Sequence, residues 1–142
     1  MSVDGHRSFV DTNVLVYAHD TTAGPKLERA RTLVGDLWRS REGCLSVQVL
    51  QELFVTLTRR IATRLDSATA ATVVGDYAKW TTHAPGGADV LAAIDLHERF
   101  RISFWDAMIV QSAAALGCDV LYSEDLNAGQ SYGGVLVVDP FA

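Results

Sequence analysis

Cysteine is scarce in this sequence: Cys44 and Cys118 are the only two, far apart and each set among apolar neighbours. That pattern predicts buried thiols in a reducing cytoplasm rather than a disulfide framework. Histidine is equally dispersed, at His6, His19, His83 and His97, so the chain offers no Cys/His cluster of the kind zinc requires. No apolar run approaches the roughly 20 residues needed to span a bilayer. The stretch from Met1 to Asp11 carries Asp4, His6 and Arg7 and lacks the apolar segment of a signal peptide. A soluble cytoplasmic protein with no membrane partner is expected. Basic residues are in the minority, 12 Lys and Arg against 17 Asp and Glu for a net charge of −5, so nothing global advertises a nucleic-acid partner. Internal repeats, low-complexity tracts and linker-like stretches are also missing. With 142 residues, 49% of them hydrophobic, the sequence reads as one domain over residues 1–142 able to bury a core.

What is present alternates in type. Strand-like apolar runs fall at Ser8 to Val10, Leu45 to Val47, Val120 to Tyr122 and Val135 to Val138. Helical patterns run from Pro25 to Ser40, Val47 to about Ile61, Ser67 to about Trp80, Ala88 to Phe100 and Phe104 to Leu116. Pro25 suits a first helical turn, Asp66 or Ser67 a cap, and Gly117 a helix end. The turn region Trp80 to Gly87, with Pro85 and a Gly-Gly pair, has room for one more short strand. This order builds an α/β domain in which a parallel sheet of four or five strands carries helices on both faces.

Several acids stand where such a sheet binds ligands. Asp11 directly follows the first strand, and Asp125 comes just after the Val120 to Tyr122 strand, both at carboxyl ends. By position alone, each is equally explained as a helix cap or a solvent-facing acid. Asp106 lies in the first turn of an almost wholly apolar helix, on a wheel face with Ile109, Val110 and Ala113. There it can cap the helix after Ser103, serve a site, or do both. In the next helix considered, a stripe of Val47, Leu50, Phe54, Leu57 and Ile61 is expected to face the core. Glu52 then falls opposite, with Gln48, Thr56 and Arg59, as a surface acid. Asp139 follows its strand much as Asp11 does, and position does not separate the two.

Read together, these segments resemble one family. Phe9-Val10-Asp11-Thr12-Asn13 resembles the opening motif of PIN-domain nucleases, and Ser46-Val47-Gln48-Val49-Leu50-Gln51-Glu52 the second acidic motif. Ile102-Ser103-Phe104-Trp105-Asp106-Ala107 resembles the third, in the form common among VapC-type toxins. Tyr122-Ser123-Glu124-Asp125-Leu126 with Gly129 resembles the fourth, and Val137-Val138-Asp139-Pro140-Phe141 the closing strand, where Asn is more usual than Asp139. The likeness covers about Ser8 to Phe141. It implies a three-layer α/β/α PIN-like domain and an acidic quartet of Asp11, Glu52, Asp106 and Asp125, with Asn13 and Ser123 in support. Glu52 is thereby promoted from surface acid to site member, while Glu124 and Asp139 become neighbours.

Carboxylates gathered within a few Å repel one another unless some are protonated or a cation joins them. Oxygen donors are hard ligands, suited to Mg²⁺ or Mn²⁺. One such ion, or a pair, can bind a scissile phosphate, activate water and stabilise the leaving oxygen, giving a 5′-phosphate product. The expected activity is therefore metal-dependent endoribonuclease cleavage. Arg59, Arg60 and Arg64, the densest basic cluster, are candidates for RNA phosphate contact, or else a solvated helix end. Tyr17 and His19 are further RNA candidates. The toxin resemblance also implies a cognate antitoxin and a homodimer. Rival readings are a phospho-receiver-like signalling domain, a haloacid-dehalogenase-type phosphatase, or a PIN fold that only binds RNA or protein. The receiver needs a lysine after a late strand, yet Lys26 and Lys79 are the only lysines; the phosphatase needs an aspartate where Asn13 stands.

Overall fold

The computed structural model describes residues 6–142; Asp4, and the rest of residues 1–5, lie outside the described residues. Its elements are β1 (Ser8–Val10), α1 (Thr12–Tyr17), α2 (Pro25–Ser40), β2 (Gly43–Ser46), α3 (Val47–Arg59) and α4 (Ser67–Tyr77). β3 (Thr81–His83), α5 (Gly87–Phe100), α6 (Phe104–Ala115), β4 (Val120–Tyr122), β5 (Ser131–Tyr132) and β6 (Val135–Val138) complete the chain. The sheet order is β3-β2-β1-β4-β6-β5. Five strands run parallel, as the alternating pattern predicts, and β5 pairs antiparallel with β6 at one edge. β5 goes unread in the sequence because two residues carry no periodicity. Its hairpin turn is nevertheless spelled out by Gly133 and Gly134, both at positive φ (56° and 87°), where a side chain would be strained.

Cap chemistry sets most helix starts. Asp11, Ser46, Asp66 and Ser103 each accept a backbone N–H of the helix that follows, and Pro25 occupies the first turn of α2. Ser46 explains why β2 stops one residue before the expected Val47: its hydroxyl turns that residue into the first of α3. Helix α5 packs on α6, which lies against β2, β4 and β6, while α1 joins α2 and α3, and α3 joins α4. Right-handed crossovers in this strand order put the two groups on opposite faces, giving three layers. Phe9, Val10, Leu45 and Leu121 are wholly buried between them. Cys44 and Cys118 are buried free thiols, in keeping with the expectation, and the Cys44 thiol donates to the Glu42 carbonyl at 3.8 Å. No helix among the described residues is long and apolar enough to cross a membrane.

One expectation about packing is overturned. The buried stripe of α3 is Val49, Leu53 and Leu57, whereas Val47 and Phe54, expected inside, are each 37% exposed. Leu57 and Ile61 are buried as expected. The reason is that α3 meets two partners: its Val49 side faces the sheet, and its Val47, Leu50 and Phe54 side borders an apolar groove with Val74 of α4. A single-stripe wheel averages the two directions and misplaces Glu52. In fact Glu52 sits three residues after Val49 and one before Leu53, at the rim of the sheet-facing side.

Gly43, at the start of β2, shows how tightly the far end of the sheet is filled. A Cβ there would stand 2.5 Å from Cζ3 of Trp80, whose ring is held edge-on by Trp38 and Tyr77, each at 5.4 Å. Gly43→Ala is therefore expected to lower stability by about 1–3 kcal/mol. The measurement is a urea unfolding midpoint followed by tryptophan fluorescence; an unchanged midpoint would show that the aromatic cluster yields freely.

Candidate functional site

Strand order reverses between β1 and β4, and their carboxyl ends open the crevice where ligands bind in such sheets. The Asp11 N–H continues the pairing by donating to the Tyr122 carbonyl at 2.9 Å, which fixes the Asp11 side chain beside Ser123. Asp11 is only 5% exposed. One carboxylate oxygen accepts the Thr12 N–H at 2.7 Å and the other accepts the Ser123 hydroxyl at 2.8 Å. Cap and site are thus the same residue. Burial pushes its carboxyl up to about 7; the Ser123 and Thr12 hydrogen bonds oppose this, and the nearby charges of Asp125 and Glu52 add to it.

The other acids are tied to the same edge by short polar links. Asn13 donates to Asp125 at 2.8 Å and lies 3.5 Å from Asp11, and the Ser123 hydroxyl accepts the Asp125 N–H at 3.1 Å. Glu52 accepts the Thr12 hydroxyl at 2.8 Å and the Gln48 amide at 3.4 Å; that amide also reaches the Trp105 carbonyl at 3.2 Å. Asp106 follows Trp105 in the first turn of α6, half-buried, its N–H bonded to Ser103. Burial holds its carboxyl above the usual range, the Ser103 hydrogen bond lowers it in part, and the charge of Asp125 raises it. Asp125 is therefore the common electrostatic neighbour of Asp11 and Asp106, and Glu52 joins through Asp11.

Asp11, Glu52 and Asp125 are joined at one edge through Thr12, Asn13 and Ser123, and Asp106 lies near enough for the charge of Asp125 to act on it. Among the described residues, however, no three His, Cys, Asp or Glu side chains form a ready cage for a metal ion. Neutral donors from Thr12, Gln48 and Asn13 occupy the carboxylates instead. The donor chemistry still fits a hard divalent cation: every contributing atom is a carboxylate oxygen, and the most buried of them is charged only with difficulty.

Beside the acids runs a cleft of about 660 Å³ whose lining includes Thr12, Asn13, Tyr17, Glu52, Arg60 and Asp125. Of the three candidate arginines Arg60 lines it; Arg59 and Arg64 are exposed outside it. Tyr17 also lines it, with its hydroxyl bonded to Glu124 at 2.5 Å. Glu124 in turn accepts Lys26 at 2.7 Å, a buttress behind the site. His19 is engaged by the Tyr77 hydroxyl at 2.8 Å, and Asp139 accepts the Phe141 N–H in a terminal turn. Two contributors escape sequence reading, Thr12 and Gln48. Gln48 stands four residues before Glu52, the helical neighbour spacing, and that was the available signal.

The PIN domain family model matches residues 8–130. A search of curated proteins finds no match. Among solved structures, the chain is similar to VapC20 of Mycobacterium tuberculosis, described as a sarcin-ricin loop cleaving toxin. The TM-score is 0.64 at 19% identity, over 82% of this chain and 88% of that one, a likeness of fold. With its four acids spread over the matched residues and the strand order that gathers them, the chain belongs to the PIN domain family.

Proposed function

We propose that this chain is an endoribonuclease dependent on a divalent cation, Mg²⁺ or Mn²⁺, and the toxin of a toxin–antitoxin pair. The observation that supports the reading is the hydrogen-bonded network joining Asp11, Glu52 and Asp125 at one sheet edge, with Asp106 nearby, beside a cleft with Arg60 on its wall. Asp11, Asp106 and Asp125 would hold the cation, and Glu52 a second ion or a water. Bound there, the cation supplies Lewis-acid charge to the scissile phosphate and activates water, so that the product carries a 5′ phosphate.

The protein's own groups do the positioning. Ser123 and Asn13 orient Asp11 and Asp125, while Thr12 and Gln48 hold Glu52 in reach. Arg60 offers a local cation to RNA phosphates against an otherwise acidic total charge. A cognate antitoxin covering the acidic cleft, a homodimer and a cytoplasmic location complete the proposal.

Cleavage sites mapped on total cellular RNA, with and without EDTA, test the reading. Discrete cuts that vanish in EDTA are expected, and cuts that persist unchanged would reject the metal-dependent mechanism. Arg60→Ala is expected to weaken RNA binding evenly across sequences and to reduce the salt slope by about 1. Arg59→Ala and Arg64→Ala should do less, and equal effects at all three, measured by anisotropy over a salt series, would remove Arg60 from its special place.

A further inference from the structure

Trp105 is the anomaly of the third acidic motif. Its indole is 64% exposed, more than any other aromatic among the exposed large hydrophobics of the described residues. Neither the core nor the metal chemistry uses it. Among the exposed large hydrophobics it is the one that directly adjoins a candidate acid, Asp106, in the chain.

Its surroundings say what it would stack on. The Trp105 backbone is fixed, because its carbonyl accepts the same Gln48 amide that donates to Glu52, and the next residue is Asp106. The ring meets Phe104 edge-on at 5.1 Å and 70°. The indole thus projects from a backbone held beside Glu52 and Asp106, in the first turn of α6, with most of its area facing solvent. A carboxylate cluster repels an approaching phosphate, so a nucleic acid gains by placing an uncharged part of itself beside it. A base does this through its π-face and without sequence preference.

We infer that Trp105 is a nucleobase-stacking platform, binding one unpaired base of a single-stranded RNA next to the phosphate presented to the acids. This rests on the nuclease reading above and deepens it: the substrate is unpaired at that nucleotide. Trp105 is a binding residue, and the acids remain intact without it.

The test uses full-length protein carrying Asp11→Asn in EDTA, so that RNA is bound and not cut. The probe is a labelled single-stranded oligoribonucleotide of mixed sequence, with a set of copies each lacking one base. Adding Trp105→Ala should weaken binding about tenfold to a hundredfold, and Trp105→Phe should recover most of it. One abasic copy should lose affinity to a similar extent on the Trp105 protein and lose nothing further on the Trp105→Ala protein. Equal affinity of the Trp105 and Trp105→Ala proteins would overturn the assignment while leaving the nuclease reading standing. So would loss of binding accompanied by a change of oligomeric state in sedimentation, which would make Trp105 a contact between copies of the chain. Failure of the parent protein to bind RNA in EDTA and in Mg²⁺ alike would overturn the nuclease reading itself.

Discussion

Asp11→Asn is expected to lower RNA cleavage by more than about a hundredfold with the fold intact, since losing even a partner of a metal ligand typically costs 10–100-fold. The fold should persist because Asn is as good a helix cap as Asp, and its side-chain oxygen can still accept the Thr12 N–H. Asp106→Asn should act in the same direction, as its N-cap bond comes from Ser103 and the Asp106 backbone rather than from its carboxylate. The measurement is single-turnover cleavage beside a thermal unfolding curve for each purified variant. Undiminished cleavage in both would remove the acids from the chemistry, and loss of the unfolding transition would make the result a folding effect.

The second large effect is on stability, and its sign follows from burial. Asp11 has a folded-state value of about 7 against 3.8 for the free side chain, so the native state holds its proton more tightly than the unfolded chain. The stability this provides is present in full below about pH 4 and is lost as pH rises through about 7. Over three pH units the loss is on the order of 4 kcal/mol. Other carboxylates run the opposite way. Glu124, for instance, is lowered overall, the Lys26 and Tyr17 bonds outweighing its burial. The quantity to compare is therefore the difference between the native sequence and Asp11→Asn. In EDTA, the variant should become the more stable of the two as pH rises from 5 to 8. Mg²⁺ at pH 8 should restore the native sequence and leave the variant nearly unmoved. Parallel pH profiles for the two proteins, followed by urea unfolding, would contradict the burial argument.

Both predictions depend on a site whose parts were unequally visible in the sequence. Asp11 and Asp125 could be placed at a ligand-binding edge because each follows an apolar run, and strand ends are local features. Asp106 stood out as an acid among Ile109, Val110 and Ala113, but the same position suited a helix cap as well as a site. Glu52 could not be placed by periodicity. Its helix has two apolar directions, one toward the sheet and one toward α4, and their sum on a helical wheel points away from the true core. Only the family resemblance brought Glu52 into the quartet. Helix α1 was missed for a related reason: six residues, three of them β-branched, carry too little pattern to separate from a loop.

The sequence by itself determined the α/β class, the parallel strands, most helix ends and the position of Asp11 and Asp125 at strand ends. These depend on neighbours within about one helical turn, where caps, turns and apolar spacing act. Tertiary structure alone decided that Thr12 bonds Glu52, that Ser123 bonds Asp11, that Asn13 spans to Asp125, and that Arg60 rather than Arg59 or Arg64 reaches the cleft. Those contacts join the start of α1, helix α3 and the segment after β4, parts far apart in the chain. Their distances are set by sheet order and helix rotation, which no local pattern encodes.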